Sequence, residues 1–402
     1  MLGSIYIGLS GLTAYSRGLQ TISNNVTNLN TPGFKATSFN FADSFSYGGL
    51  GSTFSRYVGG QQFGTGVRYG SERTDFRQGD LRQSDGDLDL AIRGTGLLVL
   101  LNEGSTYYTR TGQFTVDENG YIADSASGYR LGVLNDSGQA VDVSVDANKT
   151  FAPSATTKIS FTDNLSSTAT QAVHVSDIAV YDASGTKHVW KVTFEKVGDT
   201  APGEWTVKVT NAAGASITDT TTPPRLKFIG SIVDPANNTI SISTTPSGAP
   251  PLNVTLDFSK GVTSFSSGDV NGLHTSAVDG YGLGTLSSVK VDDTGQLVMA
   301  YSNQKTEVIG RVAIADVRDP DRLERVGSGM FRDSGGAGIR LLGSRQDGIG
   351  AVASRQIEAS NVDLAQQFGD LILVQRGFQA SSQVISISND MIQQLFGIRG
   401  QG

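Results

Sequence analysis

Residues 2–26 read LGSIYIGLSGLTAYSRGLQTISNNV, and residues 364–396 read LAQQFGDLILVQRGFQASSQVISISNDMIQQLF. Both stretches carry one aliphatic or aromatic residue every seven positions, and the long segment between them has no such repeat. A strict seven-residue repeat is typical of helices that pack along a shared seam with a slight left-handed supercoil. We therefore expect the terminal helices to pair as a coiled coil, with each other or with copies of the chain. The predicted assembly positions are Ile5, Leu9, Leu12, Leu19, Val26, Leu364, Phe368, Leu371, Phe378, Ile385 and Ile392.

Polar residues and glycines interrupt the apolar repeat. Ser16 and Ser23 lie between the apolar positions of the first helix, and Gln375, Ser382 and Asn389 do so in the second. Such polar residues weaken a coiled coil but restrict its register and partner, and each glycine inside a helix costs up to about 1 kcal/mol relative to alanine. We predict that both termini are poorly ordered in the free monomer and become helical when they pack against neighbouring copies. An intramolecular helical hairpin that closes an ordinary domain is the alternative.

The composition favours turn-rich β structure for the rest of the chain. Of 402 residues, 50 are glycine and only 17% are charged, against about 25% charged residues in typical soluble domains. The net charge of -7 comes from interspersed acids and bases, so nucleic acid is not an expected partner. No segment reaches the roughly 18 uninterrupted apolar residues of a membrane span, and the polar face of the first helix lacks the Lys and Arg of interfacial helices, so we expect no stable membrane insertion. Cysteine is absent, which excludes disulfides and thiolate chemistry.

Alternating apolar and polar residues predict short strands over residues 63–133 and again after residue 283. Asn119 and Gly120 mark a tight hairpin in the first of these parts. Between the two parts, short strands and turns predict an inserted β-sandwich or barrel with Trp190 and Trp205 in its core. The predicted fold is mainly β with α-helical termini and nested domains: a terminal helical assembly domain of residues 1–40 and 355–402, a discontinuous intermediate β domain of residues 41–145 and 275–354, and an inserted outer β domain of residues 146–274.

The chain offers no recognisable constellation for catalysis. Its three histidines lack a compact metal-ligand spacing. Asp85, Asp87 and Asp89 imitate the start of a calcium-binding loop, but Leu90 and Gly96 stand where that loop needs glycine and glutamate. The alternation instead assigns the three aspartates to the solvent face of a strand. No nucleophile elbow or phosphate-binding loop occurs, so we predict no catalytic, cofactor-binding or metal-binding residues and no enzymatic activity.

The first helix is followed by NNVTNLNTPGFK, residues 24–35. Asparagine tolerates the left-handed conformation that ends helices, and Pro32 with Gly33 prevents the helix from continuing. We interpret this segment as a helix stop. A contact between the asparagine amides and a neighbouring subunit is the alternative.

These features occur in the same order in the bacterial flagellar rod and hook family of axial proteins, which the chain resembles at both ends and poorly between residues 145 and 275. The matching segments are IGLSGL, ISNNVTNLNTPGFK, QGDLRQSDGDLDLAIRGTGLLVL, YYTRTGQFTVDENGYI, DGYGLGTLSSVKVDDTGQLVMAYSNQ and IEASNVDLAQQFGDLILVQRGFQASSQVISISNDMIQQL. The residues of this chain that match the family motifs are Asn24, Asn25, Asn28, Thr31, Gly33, Phe34, Ser360, Asn361, Val362, Asp363 and Leu364.

The resemblance implies a structural protein of the flagellum that the flagellar type III export apparatus exports without a cleaved signal peptide, and that polymerises outside the cell into a helical tube. The terminal helices would form the inner wall, the intermediate β domain the middle layer and the inserted domain the outer surface. Because rod proteins generally lack a large inserted domain, the resemblance favours the hook, a curved and flexible joint that transmits torque from rod to filament, with rod, hook cap and hook-filament junction proteins as further partners. A distal rod subunit is the alternative within the family, and a secreted β-rich glycan hydrolase is the alternative from another class.

Overall fold

The computed structural model describes residues 2–46, 63–198, 203–245 and 250–399. The chain forms two compact units. Unit 1 comprises Met1–Asp146, Val289–Val298 and Val308–Gly402, and unit 2 comprises Ala147–Ser288 and Met299–Glu307. The prediction of a mainly β fold with paired terminal helices is confirmed, while the division into three nested domains stays a prediction.

Two long helices belong to unit 1. Helix α1 spans Leu2–Thr27 and helix α2 spans Leu364–Arg399. The side chain of Asp363 accepts hydrogen bonds from the backbone N–H groups of Ala365 and Gln366 at 2.8 and 3.2 Å, which caps the start of α2. Helix α1 ends at Thr27, within the predicted helix stop of residues 24–35.

A long antiparallel hairpin accompanies α1. Its strands are β1, Thr37–Ser46, and β2, Phe63–Thr74, which pair from Thr37 opposite Thr74 outwards. The hairpin therefore starts directly after the helix stop and runs back along the helix it follows.

The β body of unit 1 contains an eleven-stranded sheet within the described part of the chain. Its strands are Asp89–Arg93, Leu97–Asn102, Ser105–Thr109, Thr111–Val116, Ile122–Asp124, Arg130–Leu131, Ile314–Val317, Leu323–Gly327, Met330–Asp333, Ile339–Leu342 and Ala351–Ser354. The predicted turn at Asn119 and Gly120 is confirmed, because it joins two paired strands of this sheet and Gly120 has a positive φ of 77°. A separate pair is formed by Leu81–Gln83 and Gln356–Glu358.

The assignment of all three early aspartates to a solvent face is wrong for Asp89. This residue opens the strand Asp89–Arg93, is buried, and accepts a short hydrogen bond from Ser84 Oγ. Leu90, Ala91 and Ile92 are all fully buried, so this strand is covered on both faces and alternation gives no information about which residues face solvent.

In the described part of unit 2, ten strands form a sheet around an apolar core. Trp190 and Trp205 are 2% and 1% exposed in that core, as predicted, and they lie there with Phe161, Phe194 and Phe258. The strands are Lys158–Asn164, Val173–Tyr181, Lys187–Lys196, Glu204–Asn211, Arg225–Ile229, Ile232–Val233, Thr239–Thr244, Leu252–Asp257, Val262–Thr263 and His274–Val278.

The other described strands and short 3-10 turns complete the secondary structure. They are Val133–Leu134, Ala140–Val141, Thr150–Phe151, Gly284–Val291, Gln296–Tyr301 and Thr306–Val312, with 3-10 turns at Asp146–Asn148, Pro235–Asn237, Pro320–Arg322 and Gln346–Gly348.

Candidate assembly interface

Helices α1 and α2 pack antiparallel along a seam of small residues. A Cβ placed on Gly8 would lie 2.7 Å from Ile385 Cγ1, one on Gly11 would meet Ser381, and one on Gly377 would meet the ring of Tyr15. Glycine therefore lets the two backbones approach closely. The helical glycines that cost stability in isolation are explained by this packing.

The buried line of α2 lies three positions after the predicted repeat of Leu364 and Leu371, and one position before the line of Phe368. Four residues spaced by seven form it: Gln367, Val374, Ser381 and Ser388. The predicted Leu371, Ile385 and Ile392 lie half-buried beside this line, as do Ile5, Leu12, Leu19 and Val26 on α1. Glycine and serine at the closest points let the helices approach, while Gln367, Val374 and Ile385 also lie in the contact.

The remaining predicted positions face away from the seam. Leu9, Leu364, Phe368 and Phe378 are exposed, and so are the interrupting residues Gln375, Ser382 and Asn389. Their role in restricting the register and partner of a coiled coil stays a prediction, and within one chain these three residues lie outside the buried line. Further large apolar side chains are exposed on the same helices: Tyr6, Ile7, Ile372, Leu373, Val384, Ile387 and Met391.

Aromatic residues connect the hairpin to α1 next to the contact with α2, and Tyr15 touches both. The rings of Tyr15 and Phe41 meet edge to face at 4.9 Å, and those of Phe39 and Tyr69 stack at 5.7 Å. A Cβ on Gly18 would lie 3.0 Å from the ring of Phe39 and 3.4 Å from that of Phe41, so the fit there is tight. This cluster was not predicted, and the local signal for it is the alternation of Phe39 and Phe41 on β1.

The family-motif residues of the two termini meet in one place, which we call the junction and define as residues 24–37 with residues 358–367. Asn25 is buried, and its amide group donates to Gln367 Oε1 at 2.9 Å and to Thr37 O at 2.8 Å. Its amide oxygen accepts from Thr37 N at 3.0 Å. Asn25 thus joins α1, α2 and β1 through one side chain.

Asn361, which precedes α2, likewise uses its side-chain amide to bind backbone groups of the N-terminal part of the chain. Its Oδ1 accepts from Ala36 N at 2.8 Å, and its Nδ2 donates to the carbonyls of Asp75 and Arg77 at 2.8 and 2.9 Å. Its backbone N–H donates to Phe34 O at 3.3 Å. The chain entering α2 is therefore held to the chain leaving α1.

The other asparagines after α1 form hydrogen bonds within their own segment and end the helix. Asn28 donates to Asn24 O at 2.8 Å, and Thr31 Oγ1 donates to Asn28 Oδ1 at 3.1 Å. Gly33 has a φ of 68°, and a Cβ there would press on Thr111, so glycine is required at this turn. Phe34 is buried, with the guanidinium of Arg325 4.9 Å from its ring centre. These contacts fit the helix-stop interpretation.

A buried cluster of charges lies under the junction. Lys35 Nζ is 2.5 Å from Glu358 Oε1, Arg110 Nε is 2.9 Å from Glu358 Oε2, and none of the three side chains is more than 3% exposed. Lys35 also donates to Arg77 O, while Arg110 donates to the carbonyls of Gly96 and Ile92. Burial lowers the pKa of Lys35 below its ordinary value, and the carboxylate of Glu358 opposes that effect.

The described residues include no metal cluster and no membrane-spanning helix. Among the described residues, no group of three or more His, Asp or Glu side chains could hold a metal ion. Within the same residues, no buried side-chain polar atom lacks a hydrogen-bond partner. None of the described helices is long and apolar enough to cross a membrane. What the helices do offer is a row of apolar side chains without a partner in the single chain.

Known protein families match the two ends of the chain and also the segment between residues 145 and 275, where the resemblance by motif is poor. Family models match at residues 5–35 (flagella basal body rod protein), 91–164 (flagellar hook protein FlgE/F/G D1 domain), 144–281 (flagellar basal body protein FlaE D2 domain) and 353–398 (flagellar basal body rod FlgEFG protein C-terminal). The flagellar hook protein FlgE of Brucella abortus is 31% identical over 99% of both chains. That of Escherichia coli is 28% identical over 97% of this chain and 98% of the relative. The structure of Helicobacter pylori flagellar hook protein FlgE2 covers 69% of this chain and 100% of that chain, at 12% identity and a TM-score of 0.46.

Proposed function

The chain belongs to the flagellar hook protein family and is a structural subunit of the bacterial flagellar hook, and we propose that copies assemble through the exposed apolar faces of α1 and α2. The observation that carries this proposal is that these helices expose large apolar side chains on several faces. Phe368 is 52% exposed, Leu373 68% and Leu9 54%. A helix that is apolar on most of its surface is normally buried.

In this proposal, one face of α2 packs within the chain and another packs between copies. The small-residue line holds α1 of the same chain, and the exposed line that includes Phe368 and Ile372 packs against helices of neighbouring copies. The polar residues Gln375, Ser382 and Asn389 lie among those outward positions, where they restrict which neighbour and which register fit. One repeated contact that does not close on itself builds a helical tube.

The surface of unit 2 supports a further part of the proposal, that contacts between copies outside the helices are weak enough to adjust. The outward face of its sheet carries ion pairs between exposed or half-exposed groups, Lys208 with Glu195 at 2.6 Å and Arg225 with Glu204 at 3.0 Å. Such surface pairs contribute little binding energy and are easily hydrated. Contacts of this kind let copies slide as a curved hook turns, which suits a flexible joint that transmits torque from rod to filament.

Besides copies of the chain, we expect partners at the two ends of the hook. The terminal segments match models named for rod proteins, which supports stacking of hook helices on rod helices at one end of the tube. We propose the hook cap and the hook-filament junction proteins at the other end. We also propose export by the flagellar type III apparatus without a cleaved signal peptide.

Two changes on α2 test the assembly face. Phe368→Ser with Leu373→Ser removes exposed apolar surface without touching the seam, so the purified chain should stay folded and fail to form tubes. The matched control is Gln379→Ser, at another exposed position of α2, and it should polymerise normally. Deleting residues 364–402 or residues 1–30 should likewise leave a folded middle that does not polymerise. Normal tubes from the double variant or from either truncation, seen by electron microscopy, would overturn the proposal.

A further inference from the structure

Each subunit connects its terminal helices to the β body of unit 1 by two stretches of chain. Residues 75–80 lead from strand β2 to the strand Leu81–Gln83, and residues 359–363 lead from the strand Gln356–Glu358 to α2. We call these stretches the first and the second connection. A force that passes between the helices and the β body of one chain must cross them or the contacts that surround them.

The two connections leave the β body at the same point. Leu81 lies directly opposite Glu358 in the antiparallel pair of short strands, and Ala359 N donates to Asp80 O at 2.8 Å. A pull on the helices therefore draws both strands in the same direction and does not slide one past the other. The load falls on the bonds that hold this pair of strands to the β body.

The connections are also bonded to each other and to the segment that follows α1. Asn361 Nδ2 donates to the carbonyls of Asp75 and Arg77 at 2.8 and 2.9 Å. Asp75 N donates to Ala36 O at 2.8 Å, and the ammonium of Lys35 donates to Arg77 O at 2.6 Å. Each residue of a free segment has two soft torsion angles, so unbonded connections would twist easily. These bonds make the three segments move together.

Glu358 fixes the second connection to the β body. Its Oε2 accepts from Arg110 Nε at 2.9 Å, and its backbone N–H donates to Thr111 Oγ1 at 3.2 Å. Arg110 is itself held by the carbonyls of Gly96 and Ile92, to which it donates at 2.6 and 2.9 Å. A load on Glu358 is thereby passed to the backbone of the β body.

We propose that Lys35, Glu358 and Arg110 form a clamp that transmits torque between the helices and the β body within each subunit, an inference that rests on the proposed function. Exposed ion pairs exchange readily with water and contribute little. These three side chains are at most 3% exposed, so separating them leaves charges uncompensated in the interior, which is far more costly. The clamp therefore resists even a small displacement of the helices against the body. A joint that bends by sliding between copies needs subunits that do not yield internally.

Force measurements on single full-length chains test the clamp. The chain has no cysteine, so Gln366→Cys on α2 and Glu118→Cys on the β body, both at exposed positions, give attachment points on either side of it. At constant force, Glu358→Gln should shorten the time to the first opening step by about a hundredfold, because the buried cations lose their counter-charge. Glu324→Gln, which removes the charge from an exposed pair with Arg332, should leave that time unchanged.

A second comparison separates force transmission from folding stability. Val99→Ala removes two carbon atoms from the core of the β body, where Val99 is fully buried, so it should lower the urea midpoint of unit 1 without changing the time to first opening. Thr111→Val removes one neutral hydrogen bond of Glu358 and should shorten that time by about fivefold, which tests the clamp even if Glu358→Gln does not fold. An unchanged opening time in Glu358→Gln, or in Thr111→Val where only that variant folds, would overturn the clamp, and so would an equal shortening in Val99→Ala.

Assembled tubes measure the transmission itself. A tube fixed at one end and twisted by a magnetic bead at the other should rotate further at the same torque when built from Glu358→Gln chains than from Glu324→Gln chains. Equal rotation would refute the clamp and leave the proposed function standing. Failure of the unsubstituted chain to form tubes would overturn the proposed function, while the single-chain opening times would still decide whether this contact holds the helices to the body.

Discussion

Glu358 connects several segments of unit 1 that are distant in sequence. Its carboxylate binds Lys35, 323 residues earlier, and Arg110, 248 residues earlier, and it accepts from Gly79 N at 2.9 Å. No local pattern in the sequence indicates these partners. A lone acidic residue before the second helix could as well lie in solvent, so this part of the site could not be predicted.

Replacing Glu358 should therefore destabilise unit 1 severely. Glu358→Ala leaves two buried cations without their carboxylate, and the expected loss is about 3 to 5 kcal/mol of unfolding free energy. The control is Glu324→Ala, which removes the partner of Arg332 from a pair that is about half exposed on both sides and should cost less than about 0.5 kcal/mol. Urea unfolding followed by far-ultraviolet circular dichroism measures both. Similar losses in the two variants would refute the role given to the buried cluster.

Asp257 should make the stability of unit 2 depend on acid pH. Burial would raise the pKa of this carboxyl, but hydrogen bonds from Lys158 and Ser259 outweigh it and lower the pKa from 3.8 to about 2. Since the folded-state pKa is the lower one, the stabilisation is present above about pH 4 and is lost as the pH falls toward 2. With Lys158 half-exposed, we expect about 1 to 2 kcal/mol.

Tryptophan fluorescence measures this effect, because both tryptophans lie in the core of unit 2. Asp257→Asn should be less stable than the unsubstituted chain at pH 6, and the gap should shrink between pH 4 and pH 2. Asp234→Asn is a suitable control, since Asp234 caps a 3-10 turn without an ion pair among the described contacts. A gap that stays constant with pH would exclude the proposed linkage.

At the scale of elements, the sequence predicts that the terminal helices pair but not which faces meet. The seven-residue repeat correctly indicates two long helices that pack side by side. Its apolar positions, however, serve two purposes, and the contact within one chain uses Gly8, Gly11, Gly377 and Ser381, which add no apolar signal. Most positions of the repeat, such as Leu12 and Leu371, lie half-buried at the edge of this contact, and only Leu9, Leu364, Phe368 and Phe378 are exposed. The seam could be recognised only from coordinates.

Two glycines of α2 should respond in opposite ways to the same substitution. Gly369→Ala adds a methyl group in open space and should stabilise the helix by up to about 1 kcal/mol. Gly377→Ala places a Cβ against the Tyr15 ring, so the helices must separate or the ring must move. We expect assembled tubes to dissociate at a lower temperature for Gly377→Ala and not for Gly369→Ala. Identical dissociation temperatures would contradict the close-packed seam.

That the helices order only on assembly stays a prediction with a direct measurement. Backbone amides of α1 and α2 should exchange with solvent much faster in monomers than in tubes. Protection of both helices in the free monomer would favour the alternative of a preformed helical hairpin.

At the scale of the whole molecule, local signals located the turns and the tryptophan core, because each depends on neighbours in sequence. The hairpin at Asn119 and Gly120 and the burial of Trp190 and Trp205 follow from such signals. The aromatic cluster on α1 and the buried Asp89 depend on what packs over them from elsewhere in the chain, so alternation alone could not reveal them.

The two units should unfold as separate transitions. The main core of unit 2 consists of residues 155–278 only, so it does not depend on the terminal helices. Deleting residues 364–402 should leave the urea transition seen by tryptophan fluorescence within about 0.5 kcal/mol of its original position while it lowers the stability of unit 1. A single merged transition, or an equal shift of both, would show that the units form one cooperative body.

The junction also sets the order in which the chain reaches its final structure. Asn25 and Gln367 are separated by 342 residues, and contacts between positions so distant form slowly because a long loop must close before any bond rewards it. Local hairpins and the inserted core require no such closure. Formation of the junction is therefore expected to be the slowest phase of refolding. It requires residues 24–37 and residues 358–367 together, so a subunit completes its fold only when the segment that contains Gln367 is available.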